Sequence, residues 1–388
     1  MNLTGFDFSL VELIISGVIL VAFFYELFYY LHYINAPLST YRKLKKYNSF
    51  PSQSTIGVSV IICARDEADN LRKNLPLFME QTYENYEIIV VNDGSLDDTE
   101  LLLTNLKDVY PRLRSTFVPY GATNVSTKKL ALTLGIKAAK YDWVLLTDAD
   151  CIPDGNNWIA RMARNFQQGT EFVLGYAPYM QKKSVLNKLI TYDTLFNGLQ
   201  YLGFALHGSP YMGVGRNMAY HKNVFFRNKG FASTLHLRSG DDDLIVNQYA
   251  NAFNTKVELS SEGTTWSEPK TTVRDWLYQK KRHLSVSSFY KSASKFKLSI
   301  EPVFRGIFYL SLITLLILGN PITKICVALL YLVRLLWQVL IINKASRHFG
   351  GRNYFMSIIV FDIYLPLLSL FMMTFGRMGK KSKRIVWK

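Results

Sequence analysis

The sequence predicts an α/β domain on a mostly parallel sheet, flanked by one N-terminal and two to three C-terminal transmembrane helices. Three observations carry this. In the middle of the chain, near-continuous apolar runs of strand length alternate with segments of helical spacing, the pattern of strands covered on both faces. One long apolar run precedes that region and three follow it, each close to the ~20 residues that cross a bilayer. The 388 residues are 49% hydrophobic, enough for a full core together with membrane segments.

The elements follow in order. Leu10–Ile34 is apolar apart from Glu12, Glu26 and His32, long enough for a transmembrane helix. It has no basic leader and no small-residue cleavage site, so an uncleaved anchor is expected rather than a signal peptide. The basic stretch Tyr41–Tyr47 (YRKLKKY) follows directly, and the positive-inside rule then puts Met1 outside and the next residues in the cytoplasm. Gly57–Ala64 and Tyr86–Asp93 read as buried strands, Ala68–Gln81 and Asp98–Val109 as helices, Lys128–Ala139 as a helix and Asp142–Asp150 as a further strand. Asn187–Leu206 has helical spacing, many aromatics and almost no charge. It is either a core helix or one lying at the membrane interface through Tyr192, Phe196, Tyr201 and Phe204. Tyr290–Ser299, basic with aromatics, is expected to rest on anionic headgroups.

Val303–Leu318, Ile322–Ile342 and Tyr354–Phe375 are the remaining apolar segments, and Gly319–Pro321 turns the first two into a helical hairpin. Lys344, Arg347 and Arg352 mark the following loop as cytoplasmic. The basic tail Gly376–Lys388 favours a cytoplasmic end, and Asp362 with Pro366 suits a broken or re-entrant last helix. The expected division is an anchor over 1–50, a cytoplasmic domain over 51–299, and membrane helices with a basic tail over 300–388.

A formal net charge of +16 points to an anionic partner: acidic lipid, a phosphorylated small molecule or nucleic acid. The basic residues gather beside apolar spans with no nucleic-acid motif, which argues against the last. Cys63, Cys151 and Cys326 show neither disulfide nor zinc spacing, as expected in a reducing compartment. In parallel sheets ligands gather at the carboxyl ends of strands. Three strands end in polar clusters there: Ala64–Glu67 (ARDE), Asn92–Ser95 (NDGS) and Asp148–Asp150 (DAD). Asp148 and Asp150, beside Asp93, repel one another unless a cation neutralises them. Oxygen-only ligands suit Mg²⁺ or Mn²⁺, which commonly bridge to a substrate's phosphates.

The stretches VSVIICARDEADNL, VVNDGSLDDT, TKKLALTLGIKAA, LLTDADC, GVGRNMAYHKNVF, SGDDDL and QKKRH occur in the order seen in family 2 glycosyltransferases. The chain resembles this family from Val58 to His283 and in its flanking membrane helices. The family comprises inverting, often membrane-anchored enzymes, among them those of cellulose, hyaluronan and ceramide glucosyl transfer. The resemblance implies a Rossmann-like GT-A fold and a UDP- or GDP-sugar donor. It places Asp93 on the base and ribose, with Ala64, Arg65 and Glu67 lining the nucleotide pocket and Lys128 or Lys129 near the nucleotide. Asp148 and Asp150 correspond to the D-x-D pair that holds Mg²⁺ or Mn²⁺ on the diphosphate.

In SGDDDL, Asp241 matches the catalytic base that takes the acceptor's proton, and Gly240 stands where the family has Glu. The three acids can instead cap a helix over Asp242–Asn251. Gln279 and Arg282 match Q-x-x-R on one helix face, with Arg282 able to fork onto the diphosphate. His283 replaces the family's Trp under the acceptor. Gly213–Tyr220 resembles the glycine-rich loop that approaches the donor sugar.

The resulting expectation is an inverting, metal-dependent hexosyltransferase, multi-pass in the inner (plasma) membrane, acting on the cytoplasmic side on a lipid or lipid-linked acceptor. Two rivals stand beside it. Four candidate spans and His283 argue against a processive polysaccharide synthase. Intact Asp93, Asp148, Asp150, Asp241 and Arg282 argue against a non-enzymatic scaffold subunit of an export complex.

Overall fold

Val58–Ala64 (β1) and Tyr86–Asn92 (β2) are buried at every residue, as apolar runs without alternation require when both faces of a sheet are covered. The computed structural model describes residues 9–119, 127–235, 237 and 239–375, so Met1 and the tail Gly376–Lys388 lie outside the described residues. β1 and β2 pair in parallel from Val58↔Tyr86 to Ala64↔Asn92. Leu113–Phe117 (β3) extends the parallel array beyond β2, and Trp143–Asp148 (β4) joins the other edge of β1. Past β4 the direction reverses. Met218–His221 (β7) runs antiparallel to β4 and to Phe172–Leu174 (β6), and Thr255–Val257 (β8) closes the row. The seven strands stand in the order β3-β2-β1-β4-β7-β6-β8. A small antiparallel pair, Cys151–Pro153 (β5) with Thr265–Ser267 (β9), sits apart from them.

Alternate β1 side chains face opposite ways. Val58, Val60 and Ile62 pack under Ala68–Met79 (α3), Thr99–Val109 (α4) and Trp158–Ala163 (α6). Ile61 and Cys63 face a larger core shared with Thr127–Ala138 (α5), Val185–Leu206 (α7), Lys222–Arg227 (α8), Asp243–Tyr249 (α9) and Val273–Val286 (α10). That core runs on without a break into the long apolar helices.

Among the described residues, four helices are long and apolar enough to cross a membrane. Leu10–Tyr29 (α1) continues through a π-helical turn, Tyr30–Ile34, into Ala36–Lys46 (α2). Ser292–Leu318 (α11), Pro321–His348 (α12) and Ser357–Phe375 (α13) close the chain.

Several expectations need correction. The apolar segment from Val303 is the second half of a helix that already begins at Ser292. Tyr290 is buried and donates to Asp243 Oδ2 at 2.7 Å, so its ring serves the α/β domain rather than headgroups. α13 is continuous through Asp362 and Pro366 rather than broken. Arg305 and Arg334 supply the counter-charges that let Asp362 sit inside it. The strand over Asp142–Asp150 ends at Asp148 and resumes as β5. The open choice for α7 falls to the core: Tyr192, Tyr201 and Phe204 are buried, and Gln200 donates to Tyr29 Oη at 2.6 Å. α7 is the layer between the sheet and the long apolar helices.

Candidate active site

Register alone brings the predicted residues to one edge. Cys63 pairs with Asp148 and Ala64 with Asn92, so Ala64, Asp93 and Asp148 end together. Asp93 donates its N–H to Ala64 O at 2.8 Å. Asp66, at φ +54°, turns the chain after β1. Its N–H donates to Ser95 Oγ at 3.0 Å and its Oδ1 accepts from Leu96 N–H at 2.7 Å, fastening the two polar loops to each other. Arg65 is half-buried beside them. Asp93 is buried with Oδ2 unpartnered. Burial raises its pKa, against the Thr127 hydroxyl and Arg65. Burial also raises Glu67, against the Asn70 amide, with Asp150 and Asp148 adding to the rise.

The two adjacent lysines at the start of α5 point to different tasks. Lys128 Nζ lies 3.1 Å from Asp148 Oδ1 and 3.6 Å from Asp241 Oδ2. Lys129 is fully buried and donates to three carbonyls, Thr234 at 2.6 Å, Leu237 at 3.0 Å and Ser239 at 2.9 Å, holding the segment that leads to Asp241. Burial works against the charge of Asp148, yet the Lys128 ammonium, then Arg216 and Arg282, hold its carboxyl below the usual range. Asp150 behaves oppositely: burial and the neighbouring Asp148 push it up, with Arg216 as the chief counterweight.

The three acids after Gly240 divide in the same way. Gly240 sits at φ +84°, and a Cβ there would meet Leu244 Cδ1 at 2.7 Å, so no side chain fits where the family carries Glu. Asp242 is the N-cap of α9. Its Oδ1 accepts from Asp243 N–H at 2.9 Å and its Oδ2 from Gly215 N–H at 2.7 Å. Asp243 is buried on the Tyr290 hydroxyl, and burial followed by Asp242 raises its pKa well above the ordinary value. Asp241 alone faces Lys128. Burial raises it, Lys128 opposes and Asp242 adds to the rise. The helix expected over Asp242–Asn251 is shorter, Asp243–Tyr249.

α10 contributes the rest. Arg282 is half-buried with no hydrogen-bond partner on Nε, and its charge is felt at Asp148 and His283. The His283 ring keeps an open edge, but the protein packed around it, then Arg282, Arg216 and Lys128, pull its pKa down, leaving it neutral. Lys280 is engaged elsewhere, on Asp193 of α7 at 2.8 Å. Gln279 donates to Tyr179 Oη at 3.0 Å rather than facing the carboxylates directly. Tyr179 in turn lies 4.2 Å from the guanidinium of Arg216. Sequence reasoning passed over Arg216. The signal was there, a cation inside the glycine-rich loop after Gly215, but only the strand pairing shows that it sits beside the D-x-D.

The donor set fits a hard divalent cation. Asp148 and Asp150 offer carboxylate oxygens alone, and Asp150 carries a charge that its neighbour disfavours. Among the described residues no group of three or more His, Cys, Asp or Glu side chains is arranged to hold an ion without other ligands.

Residues 59–227, from β1 to the end of α8, match the family described as Glycosyl transferase family 2. This segment is similar to family 2 glycosyltransferase domains. The match takes in Asp93, Lys128, Asp148, Asp150 and Arg216, while Asp241, Gln279 and Arg282 lie beyond its end. Poly-beta-1,6-N-acetyl-D-glucosamine synthase of Staphylococcus aureus (strain MSSA476) is 31% identical over 139 residues, 35% of this chain and 32% of that protein. The enzyme of the same name from Staphylococcus epidermidis is 28% identical over 144 residues, 36% of this chain and 33% of that protein. The chain thus aligns with about a third of the length of these relatives. Mannosyltransferase PcManGT from Pyrobaculum calidifontis, solved in complex with GDP-Man and Mn²⁺, superposes with a TM-score of 0.55 at 14% identity, covering 95% of this chain and 100% of that one. At that identity the likeness shows the fold alone, GT-A, and the α/β domain here has it.

Proposed function

We propose that the protein is an inverting glycosyltransferase, embedded in the plasma (inner) membrane, that moves a sugar from a UDP- or GDP-sugar to a lipid or lipid-linked acceptor on the cytoplasmic side. One observation carries the reading: Asp148, at the end of its strand, and the base candidate Asp241, far apart in sequence, converge on the Lys128 ammonium.

The chemistry follows from the residues. Asp93, buried with a free carboxylate oxygen, accepts hydrogen bonds from the nucleoside, with Ala64, Arg65 and Glu67 forming the rest of that wall. Asp148 and Asp150 would hold Mg²⁺ or Mn²⁺, which would supply charge neutralisation to the diphosphate. Asp241 takes the proton of the acceptor hydroxyl as its oxygen bonds to the anomeric carbon. The bond from that carbon to the diphosphate breaks, its electron pair goes to the leaving oxygen, and Arg282 stabilises the charge. His283, neutral and open at its edge, borders the acceptor side. The long apolar helices and α7 set the crevice at the bilayer, which favours an acceptor carried by a lipid.

The names of the relatives favour a second reading, a processive polysaccharide synthase. Product length separates the two: single-sugar transfer against a polymer.

The test is nucleotide release from UDP- and GDP-sugars by protein in lipid nanodiscs, with extracted cell lipids as acceptor. EDTA should abolish release, Mn²⁺ or Mg²⁺ should restore it, and Asp150→Ala should be inactive while folded. Full activity in EDTA removes the metal from the mechanism. No release from any donor removes the reading. A cysteine placed within Tyr41–Tyr47 should be labelled only after permeabilisation, and labelling from outside reverses the topology.

A further inference from the structure

We infer that Arg216 is a second guanidinium for the donor's diphosphate, acting with Arg282, and that Tyr179 and Gln279 position it. The inference rests on the glycosyltransferase reading above; it adds Arg216 and Tyr179 to the site and gives Gln279, the first residue of Q-x-x-R, a positioning task.

The placement is fixed from three sides. Cys151, the residue after Asp150, pairs with Ser267 across β5 and β9. Arg216 Nη1 donates to Ser267 Oγ and Nη2 to Ala177 O, the latter at 2.9 Å. The guanidinium is therefore held on β9, the strand that pairs with the one continuing the D-x-D. Its backbone is held too: Thr265 Oγ1 donates to Arg216 O at 2.8 Å, and Gly215 N–H donates to Asp242 at 2.7 Å. The next residue, Asn217, is fully buried, with its amide on Tyr176 O at 2.7 Å and Gly263 O at 2.8 Å. Gly215 permits this approach, since a Cβ there would lie 3.3 Å from Asp242 Oδ2. One loop thus joins the D-x-D to the helix that follows the base candidate.

The third side is aromatic. The Tyr179 ring lies against the guanidinium, and its hydroxyl accepts from Gln279. Gln279 therefore acts through Tyr179 upon Arg216, while Arg282, one turn further along α10, faces the crevice itself.

Every partner of the Arg216 guanidinium is neutral: a hydroxyl, a carbonyl and a ring. Among the described residues no carboxylate lies within 4.0 Å of it, the ion-pair distance. A half-buried cation with neutral partners keeps its charge for an anion. Asp150 and Asp148 feel that charge without pairing to it. The anion that belongs between these carboxylates and two arginines is a diphosphate, whose oxygens match the guanidinium fork. Charge on it rises as the sugar leaves.

The test uses the full chain in nanodiscs and titrates UDP, GDP, UMP and GMP with Mn²⁺ present. Arg216→Gln should weaken the diphosphate that the wild type binds by about tenfold to a hundredfold, the worth of a charged hydrogen bond. Binding of the matching monophosphate should hardly change. Arg216→Lys, which keeps the charge without the fork, should fall between. Gln279→Leu should weaken the diphosphate in the wild-type background and add nothing in Arg216→Gln, a coupling that a merely structural glutamine would not show. Unchanged diphosphate affinity in Arg216→Gln overturns the inference alone. If that variant fails to fold by thermal melting, wild-type affinity in Arg216→Lys overturns it instead. A wild type that binds neither UDP nor GDP overturns the glycosyltransferase reading and this inference with it.

Discussion

Three consecutive aspartates separate into three jobs because each meets a different neighbour. Asp242 is fully used by the backbone, capping α9 and holding Gly215. Asp243 is buried on Tyr290. Asp241 is left facing Lys128 and the crevice. Asp241→Asn keeps the shape and removes the basicity, so transfer should fall by about 10²–10⁴ while nucleotide affinity changes little. Asp242→Ala should lose stability instead, by about 1–2 kcal/mol for the cap alone, read as a lower melting temperature. Asp243 gives a pH test. Its folded pKa is raised, so its protonated form suits the fold, and the stability it contributes is present in acid and lost as pH rises through the raised value. Asp243→Asn mimics the protonated form and should flatten that loss, so the variant should melt no lower than wild type above neutral pH. A variant that melts lower there means the charged carboxylate is the form the fold uses.

At the scale of elements, the sequence made β1, β2, α3 and α5 legible to within a residue or two, because a strand buried on both faces has no polar interruptions and a helix with one buried face repeats its apolar residues at helical spacing. The same pattern could not place α7. An aromatic, uncharged helix suits a domain core and a membrane surface equally, and only the Gln200–Tyr29 bond and its neighbours decide between them. Nor could it separate Lys128 from Lys129. Adjacent helix residues diverge by about 100°, and which one enters the crevice depends on a segment more than a hundred positions away. Lys129 holds that segment by three carbonyls. Lys129→Met should orphan them and cost about 3 kcal/mol or more, since each buried acceptor left without a donor costs about 1–3 kcal/mol. Lys128→Met should lower transfer. The two variants should therefore part, one in melting temperature and the other in activity, and equal effects on both would mean that the pair acts as a unit.

At the scale of the whole molecule, the long apolar helices are joined by charge. Arg334 of α12 donates to Glu26 of α1 at 2.9 Å and to Asp362 of α13 at 2.9 Å. Arg305 of α11 pairs with Asp362 at 3.2 Å and with Glu301. Tyr309 donates to Asp362 at 2.7 Å, and Gln338 bridges Asp362 to Tyr30. Charged side chains among apolar helices are costly unless paired inside the bundle, and here every one of the four long helices contributes a partner. The consequence reaches the crevice, because α13 also packs against α10, the helix of Gln279 and Arg282. Arg334→Leu would leave Glu26 without its cation and Asp362 with one of two. Removing one partner of a buried pair typically costs about 3–5 kcal/mol, so this variant should melt well below wild type in nanodiscs and lose transfer with it. Glu26→Leu together with Arg334→Leu removes both ends of one pair and leaves Asp362 with Arg305. The double variant should regain much of the melting temperature. If it melts as low as Arg334→Leu alone, the loss came from packing rather than from a stranded carboxylate. If Arg334→Leu melts with wild type, the network does not hold the bundle, and the position of α10 depends on other contacts.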